Sequence, residues 1–339
     1  MIDHSTAQAR LDSLAKPRGS LGHLETVAAR LAQTQATLAP ATKPRRIVLF
    51  AADHGCVAAG VTPWPSAVTQ MMIGTIAAGK AASSVLAAET GTELRLVDAG
   101  SLGLALSPAP AFYRYAPVRA GTGNLAREPA MTVPEFDAAW MLGADEAKRA
   151  AGEGMKVVAA GEMGIGNTTP SACLAMLLAN VSHDHAVGPG AGSDAAGMAR
   201  KREVVAAAVA RARPKLEGNA KAAIAEVAGL EIVAMAGFYA AAAEAGATVV
   251  LDGYVSGAAA LIAARLAPDC ARHMIAGHCS AEPGHRHVLS SLGLEPVLDW
   301  RMRLGEGTGA LLAMPILDAA AAILAKMATL DELGVGRKD

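Results

Sequence analysis

Short apolar runs rich in β-branched residues alternate along this chain with Ala-rich stretches of helical period. That alternation is the pattern of a parallel sheet covered by helices on both faces, so the fold class is α/β. Strands are predicted at 46–51, 93–98, 156–160 and 247–252, each with a polar or acidic residue at or just past its end. Helices are predicted at 67–90, 133–154, 171–178, 195–212, 231–243 and 255–266, with Gly or Pro near many of their ends. The first thirty residues read as helix, a Lys16-Pro17-Arg18-Gly19-Ser20 turn, and helix; the last forty read as helical without strands. We therefore expect a large α/β domain over 30–300 and a small helical subdomain built from 1–29 and 301–339. The stretch 309–327 is the most apolar late segment, but Pro315, Asp318 and Lys326 interrupt it, which predicts a buried helix pair and no membrane span.

Composition narrows the classes. The chain is 52% hydrophobic and 18% charged, so a large buried core is expected and disorder is not. Thirty basic and 31 acidic residues leave a net charge of -1, and no Lys/Arg run forms a stripe for a nucleic-acid backbone. The four cysteines form no CxxC pair and are expected to be free thiols in a reducing, cytoplasmic compartment. The start, Met1 to Ser5, lacks a basic segment followed by an apolar one, so no secretory leader is expected.

The densest chemical signal is Gly161-Glu162-Met163-Gly164-Ile165-Gly166-Asn167-Thr168-Thr169-Pro170, after one predicted strand and before a predicted helix. Such a turn exposes backbone N–H groups beside Thr hydroxyls, a cradle for a phosphate, and this reading is preferred to a plain strand-to-helix turn. A second glycine cluster, 188–194, leads into a helix bearing Lys201, which as a point charge reaches a phosphate or simply stands on a solvated face. No convincing strand precedes it, so it is not read as a dinucleotide fingerprint. A third cluster is His278-Cys279-Ser280-Ala281-Glu282-Pro283-Gly284-His285. In the fourth, Arg303-Leu304-Gly305-Glu306-Gly307-Thr308-Gly309, an acid stands between glycines; it is a candidate general base or a turn acid facing water. Asp53, His54 and His278 raise the alternative of a metal-dependent hydrolase. The histidine spacings match neither a zinc-binding HExxH helix nor a closed structural site, and no metal site is expected. Met71, Met72, Met163 and Met235 read first as core fillers.

Taken together, 11–22, 50–55, 161–169, 251–253, 280–285 and 302–309 resemble, in order and over nearly the whole chain, the nicotinate-nucleotide:dimethylbenzimidazole phosphoribosyltransferase family. The resemblance implies a Rossmann-like parallel domain, a small helical domain from both chain ends, a homodimer, and no metal or redox cofactor. It implies transfer of a phosphoribosyl group from nicotinate mononucleotide to 5,6-dimethylbenzimidazole during formation of the cobalamin nucleotide loop. Glu306 then matches the base that takes the acceptor's N–H proton, and Glu162 a second acid near the reacting carbon. Gly164, Gly166, Asn167, Thr168, Gly190, Lys201 and Ser280 match positions around the phosphate and ribose, and Thr62, Met71, Ser84, Met163 and Leu304 are expected at the acceptor pocket. The chain departs from the family pattern at 69–71, where Met71 stands in place of a Gln, and at 79–84, which reads Gly-Lys-Ala-Ala-Ser-Ser. The acceptor therefore stays open among a benzimidazole, a purine and a phenol. A catalytically silent nucleotide-binding relative is the other alternative, and the retained Glu306 speaks against it.

Overall fold

A computed structural model describes Ile2 and residues 4–334; residues 1, 3 and 335–339, which carry parts of the leader and terminal-subdomain expectations, lie outside the described residues. Seven strands form one parallel sheet: β1 (Arg45–Ala52), β2 (Glu93–Gly100), β3 (Tyr113–Tyr115), β4 (Val157–Met163), β5 (Thr248–Leu251), β6 (Met274–His278) and β7 (Pro296–Leu298), in the order β3-β2-β1-β4-β5-β6-β7. The four predicted strands are the sheet's centre. The other three were not predicted: β3 and β7 are three-residue edge strands, and β6 carries a single β-branched residue, Ile275.

Strand side chains alternate between two cores. Val48, Phe50 and Ala52 of β1, with Val158 and Ala160 of β4, face a core shared with helices Val133–Gly152, Thr168–Leu178, Ala195–Ala212, Leu230–Glu244 and Tyr254–Leu266. Ile47, Leu49 and Ala51, with Val157 and Ala159, face the other core, where helices His4–Ser13 and His23–Thr34 pack with Thr308–Lys326. Leu14 bridges to Thr329, and Arg10 donates to the carbonyls of Leu324 and Met327, so the two ends of the chain are joined directly.

Two helix expectations are corrected. The predicted 67–90 helix is two helices, Ala67–Ala77 and Ala82–Glu89. Gly79 takes a left-handed φ of 74°, and the bonds Gly79 N–H to Ile76 O and Lys80 N–H to Thr75 O close the first helix in a Schellman cap. Conversely, the predicted pair across 309–327 is one helix, Thr308–Lys326, that runs through Pro315. Pro315 lies on the exposed side while Leu311, Met314 and Leu317 are fully buried on the other, and their packing offsets the roughly 3 kcal/mol that an interior proline costs. By length and hydropathy this helix and the stretch 67–89 are apolar enough to cross a membrane. The first, however, lies in the core against the sheet, and the second is split into pieces of 11 and 8 residues.

Phe50 stands fully buried at the centre of the sheet, edge-on to Phe238 at 6.1 Å. Phe50→Ala is expected to destabilise the fold by about 3–5 kcal/mol, read from the denaturant midpoint by circular dichroism.

Candidate active site

The chain winds one way from β1 to β2 and β3 and the other way from β4 to β7, so the crevice beyond the carboxyl ends of β1 and β4 is a topological switch point. A cavity opens there, walled by the segments that leave β1, β4, β5, β6 and β7.

After β4 the chain turns through Gly164 to Asn167 into helix Thr168–Leu178; Asn167 N–H donates to Gly164 O, Thr169 N–H to Gly166 O, and Ile165 N–H to the buried Thr69 hydroxyl at 3.1 Å. Lys201, 1% exposed, projects from helix Ala195–Ala212 and donates to Thr168 Oγ1 and Gly188 O, both at 2.8 Å. Burial pulls the Lys201 ammonium below the usual lysine range, against the raising influence of Glu282. A buried cation touching only neutral oxygens is a receptive point for an anion.

Past β6, Ser280 and Glu282 form the next wall. Ser280 N–H donates to His285 Nδ1 at 2.8 Å, and burial drives the His285 imidazole down to about 3, keeping it neutral as that acceptor. Glu282 accepts Gly190 N–H through Oε1 at 2.9 Å; its carboxyl is pushed up by burial and drawn back by Lys201. Gly190 was expected as a phosphate contact, yet its N–H is committed to Glu282 and its carbonyl to Arg303 Nη1 at 3.0 Å. It shapes the wall and has no free amide to offer.

Beyond β7, Gly305, Glu306 and Gly307 all adopt left-handed backbone, with φ of 86°, 57° and 74°. Asp252, just after β5, holds this strained run: its carboxylate accepts the N–H groups of Gly307, Gly309 and Ala310 at 3.1, 2.7 and 3.3 Å. These are the unpaired donors at the start of helix Thr308–Lys326, so Asp252 serves as a cap supplied from another strand. Glu306, 4% exposed, is turned onto the cavity wall, and its Oε2 accepts from Ser83 Oγ at 3.1 Å and Ser83 N–H at 3.4 Å. The approach is close on the β4 side too: a Cβ on Gly161 would lie 2.5 Å from Gly307 N, and one on Gly305 would overlap Glu162 Oε1.

Glu162 also lines this cavity and receives a short hydrogen bond from Asn167 Nδ2. Burial first, then the charges of Asp252, Glu231 and Glu306, push its carboxyl up to about 8, against Asn167, so it is protonated at neutral pH. Two acids on one wall thus differ in environment, the arrangement that separates acid and base roles.

Of the residues singled out in sequence, Thr62, Glu162, Met163, Gly164, Gly166, Asn167, Thr168, Gly190, Ser280, Leu304 and Glu306 line this one cavity, with Lys201 buried directly behind Thr168. Met71 and Ser84 do not. Met71 is exposed on helix Ala67–Ala77, and the Ser84 hydroxyl turns away to Ile76 O because the Gly79 break rotates Ser83, not Ser84, toward Glu306. Asp252, Glu282, Ser83 and Arg303 escaped selection. Asp252 and Glu282 sat inside noted motifs, whereas nothing in the sequence pairs Ser83 with Glu306, 223 positions away. Asp53, His54 and His278 are engaged separately: Asp53 accepts Leu102 N–H, His54 pairs with buried Glu231 at 2.9 Å, and His278 stands 3.6 Å from Asp252. Among the described residues no three His, Cys, Asp or Glu side chains converge as metal ligands would, and all four cysteines are free and buried.

The phosphoribosyltransferase family matches the chain over residues 3–335. A nicotinate-nucleotide–dimethylbenzimidazole phosphoribosyltransferase of Thermus thermophilus is 46% identical over 331 residues, covering 98% of this chain and 97% of that one. A protein of the same description from Ectopseudomonas mendocina is 43% identical over 340 residues, covering 99% and 96%. The crystal structure of CobT from Thermus thermophilus superposes with a TM-score of 0.94 at 45% identity, covering 99% of each chain.

Because Glu162 is held protonated when folded but ionises near 4.5 when unfolded, the unfolded state releases its proton first as pH rises, and stability falls between about pH 4.5 and pH 8 on its account. Glu162→Gln removes this penalty: the variant's stability advantage in pH-dependent urea unfolding is expected to widen across that window and then level off.

Proposed function

The chain belongs to the nicotinate-nucleotide–dimethylbenzimidazole phosphoribosyltransferase family, and from that premise we propose how its cavity carries the family's reaction. The enzyme transfers phosphoribosyl from nicotinate mononucleotide to 5,6-dimethylbenzimidazole, releasing nicotinate and giving α-ribazole 5′-phosphate for cobalamin biosynthesis. The observation that carries the site assignment is the pairing, on one wall over the switch point, of Glu306 with a neutral Glu162 beside an anion cradle.

The phosphate is anchored at the helix start by Gly164, Gly166, Asn167 and Thr168, with Lys201 and Ser280 around it, and this fixes ribose C1 near the two acids. The bond from C1 to the nicotinate nitrogen breaks as an acceptor nitrogen attacks the opposite face. Glu306 takes the proton from the acceptor's N–H. Ser83 supports this role by directing two donors at Oε2 and so holding the carboxylate in place. Glu162, being neutral, adds no second negative charge against Glu306 and offers a proton to hydrogen-bond the substrates. Thr62, Met163 and Leu304 form the acceptor side. A catalytically silent relative would have no need to keep a buried acid in left-handed backbone.

The finer readings are that the enzyme is cytoplasmic, supported by four free thiols, and a homodimer. Leu102, Leu104, Tyr115 and Met71 are exposed around one loop, with Val85 exposed on the next helix, an apolar face suited to a second copy. Sedimentation equilibrium is expected to return twice the 34.2 kDa chain mass.

Incubation with nicotinate mononucleotide and a panel of benzimidazoles, purines and phenols, followed by mass spectrometry, should give nicotinate and one α-ribotide, that of dimethylbenzimidazole. Glu306→Gln should lower turnover by ~10²–10⁴-fold with nucleotide binding retained; near-normal turnover would remove Glu306 from the base role.

A further inference from the structure

The cavity is unusually acidic for one that takes a nucleotide. Glu162, Asp252, Glu282 and Glu306 all line it, while Arg303 is the single lysine or arginine among its lining residues. A phosphomonoester brings a further charge of about −1.5 to −2 near neutral pH. Lys201 alone is a poor answer to it: two of its three donors are spent on Thr168 Oγ1 and Gly188 O, and it lies behind the wall.

Arg303 is placed differently. Its Nη1 donates to Gly190 O, which anchors the side chain at the rim of the cradle, and a Cβ placed on Gly190 would lie 2.6 Å from Thr168 Oγ1 and 3.4 Å from Lys201 Nζ. Among the described residues no carboxylate comes within 4.0 Å of this guanidinium. Three of the cavity's acids are engaged elsewhere, Glu162 with Asn167, Asp252 with three backbone amides and Glu306 with Ser83, while Glu282 accepts Gly190 N–H through Oε1 and leaves Oε2 without a partner, near enough for Arg303 to draw its carboxyl down but beyond salt-bridge distance. The remaining guanidinium donors are therefore left for a ligand, in the fork geometry that suits an oxyanion.

We propose that Arg303 is the second cationic ligand of the substrate's phosphate, closing over the cradle from the rim opposite Lys201. This rests on the transferase reading above. The nucleotide also carries a nicotinate carboxylate that a guanidinium would bind by the same chemistry; proximity to Gly190, Thr168 and Lys201 favours the phosphate.

The test compares wild type, Arg303→Gln and Arg303→Lys in the full-length enzyme: KM for nicotinate mononucleotide, and inhibition constants for ribose 5-phosphate and for nicotinate. Arg303 is exposed, so melting temperatures should be unchanged. Arg303→Gln is expected to raise both the KM and the ribose 5-phosphate inhibition constant by about 10–100-fold, the loss of one or two charge-assisted bonds. Nicotinate inhibition should stay within about twofold, and Arg303→Lys should recover part of the loss. An unchanged KM, a wild-type enzyme indifferent to ribose 5-phosphate, or weakened nicotinate inhibition with ribose 5-phosphate unaffected would each overturn the assignment. Absence of turnover in the wild type would instead strike at the transferase reading itself.

Discussion

The carboxylate of Asp252, collecting the amides of Gly307, Gly309 and Ala310, is the constraint on which the site depends. It joins the end of β5 to the start of the last long helix, and so couples the sheet to the element that also packs against the N-terminal helices. A left-handed φ at Glu306, flanked by two more left-handed residues, is costly and persists only where the surroundings over-determine it. Asp252 provides that from one side. Ser83, Gly161 and the Glu162 side chain close in from the others. The result is an acid held at one place without the freedom a surface loop would leave it, which is the preorganisation that proton transfer between fixed partners needs.

Electrostatics then differentiates residues of like type. Four acids share a partly desolvated cavity, where like charges repel strongly. Glu162, fully desolvated beside Asp252 and Glu231 and with Asn167 as its one donor, responds by keeping its proton, while backbone and side-chain donors are concentrated on Asp252 and Glu306. On the opposite wall, Lys201 and Glu282 lie buried near one another without touching, each shifted toward its neutral form by burial and drawn back by the other. One part of the cavity is therefore backed by a buried ammonium and another carries the acids Glu162 and Glu306.

The central sheet and most of the helices are legible because their cause is local: β-branched runs buried on both faces, and Ala-rich helical stretches with Gly or Pro near their ends. The glycine-rich turn at 161–170 and Glu306 stand out for a similar reason, since a glycine-flanked acid or a turn opening a helix is visible in a few consecutive residues. Where sequence and structure part over the helices, one deciding set of contacts is distant and the other is a local cap. Pro315 reads as a helix break, yet burial of Leu311, Met314 and Leu317 carries the helix past it; Gly79, within an apolar stretch, breaks a helix because it caps one.

Local patterns along the chain thus carry the α/β class, the central strands, the resemblance to its family and the acids and glycines that line the cavity. Only the tertiary structure decided that Ser83 and not Ser84 meets Glu306, that Gly190 has no free amide, that Glu162 is neutral, and that Asp252 pins the Glu306 turn. The physical reason is common to all four. Hydrogen-bond partners and protonation states are set by what lies within a few ångströms in space, and here those neighbours come from segments up to 223 residues apart, a separation no local pattern records.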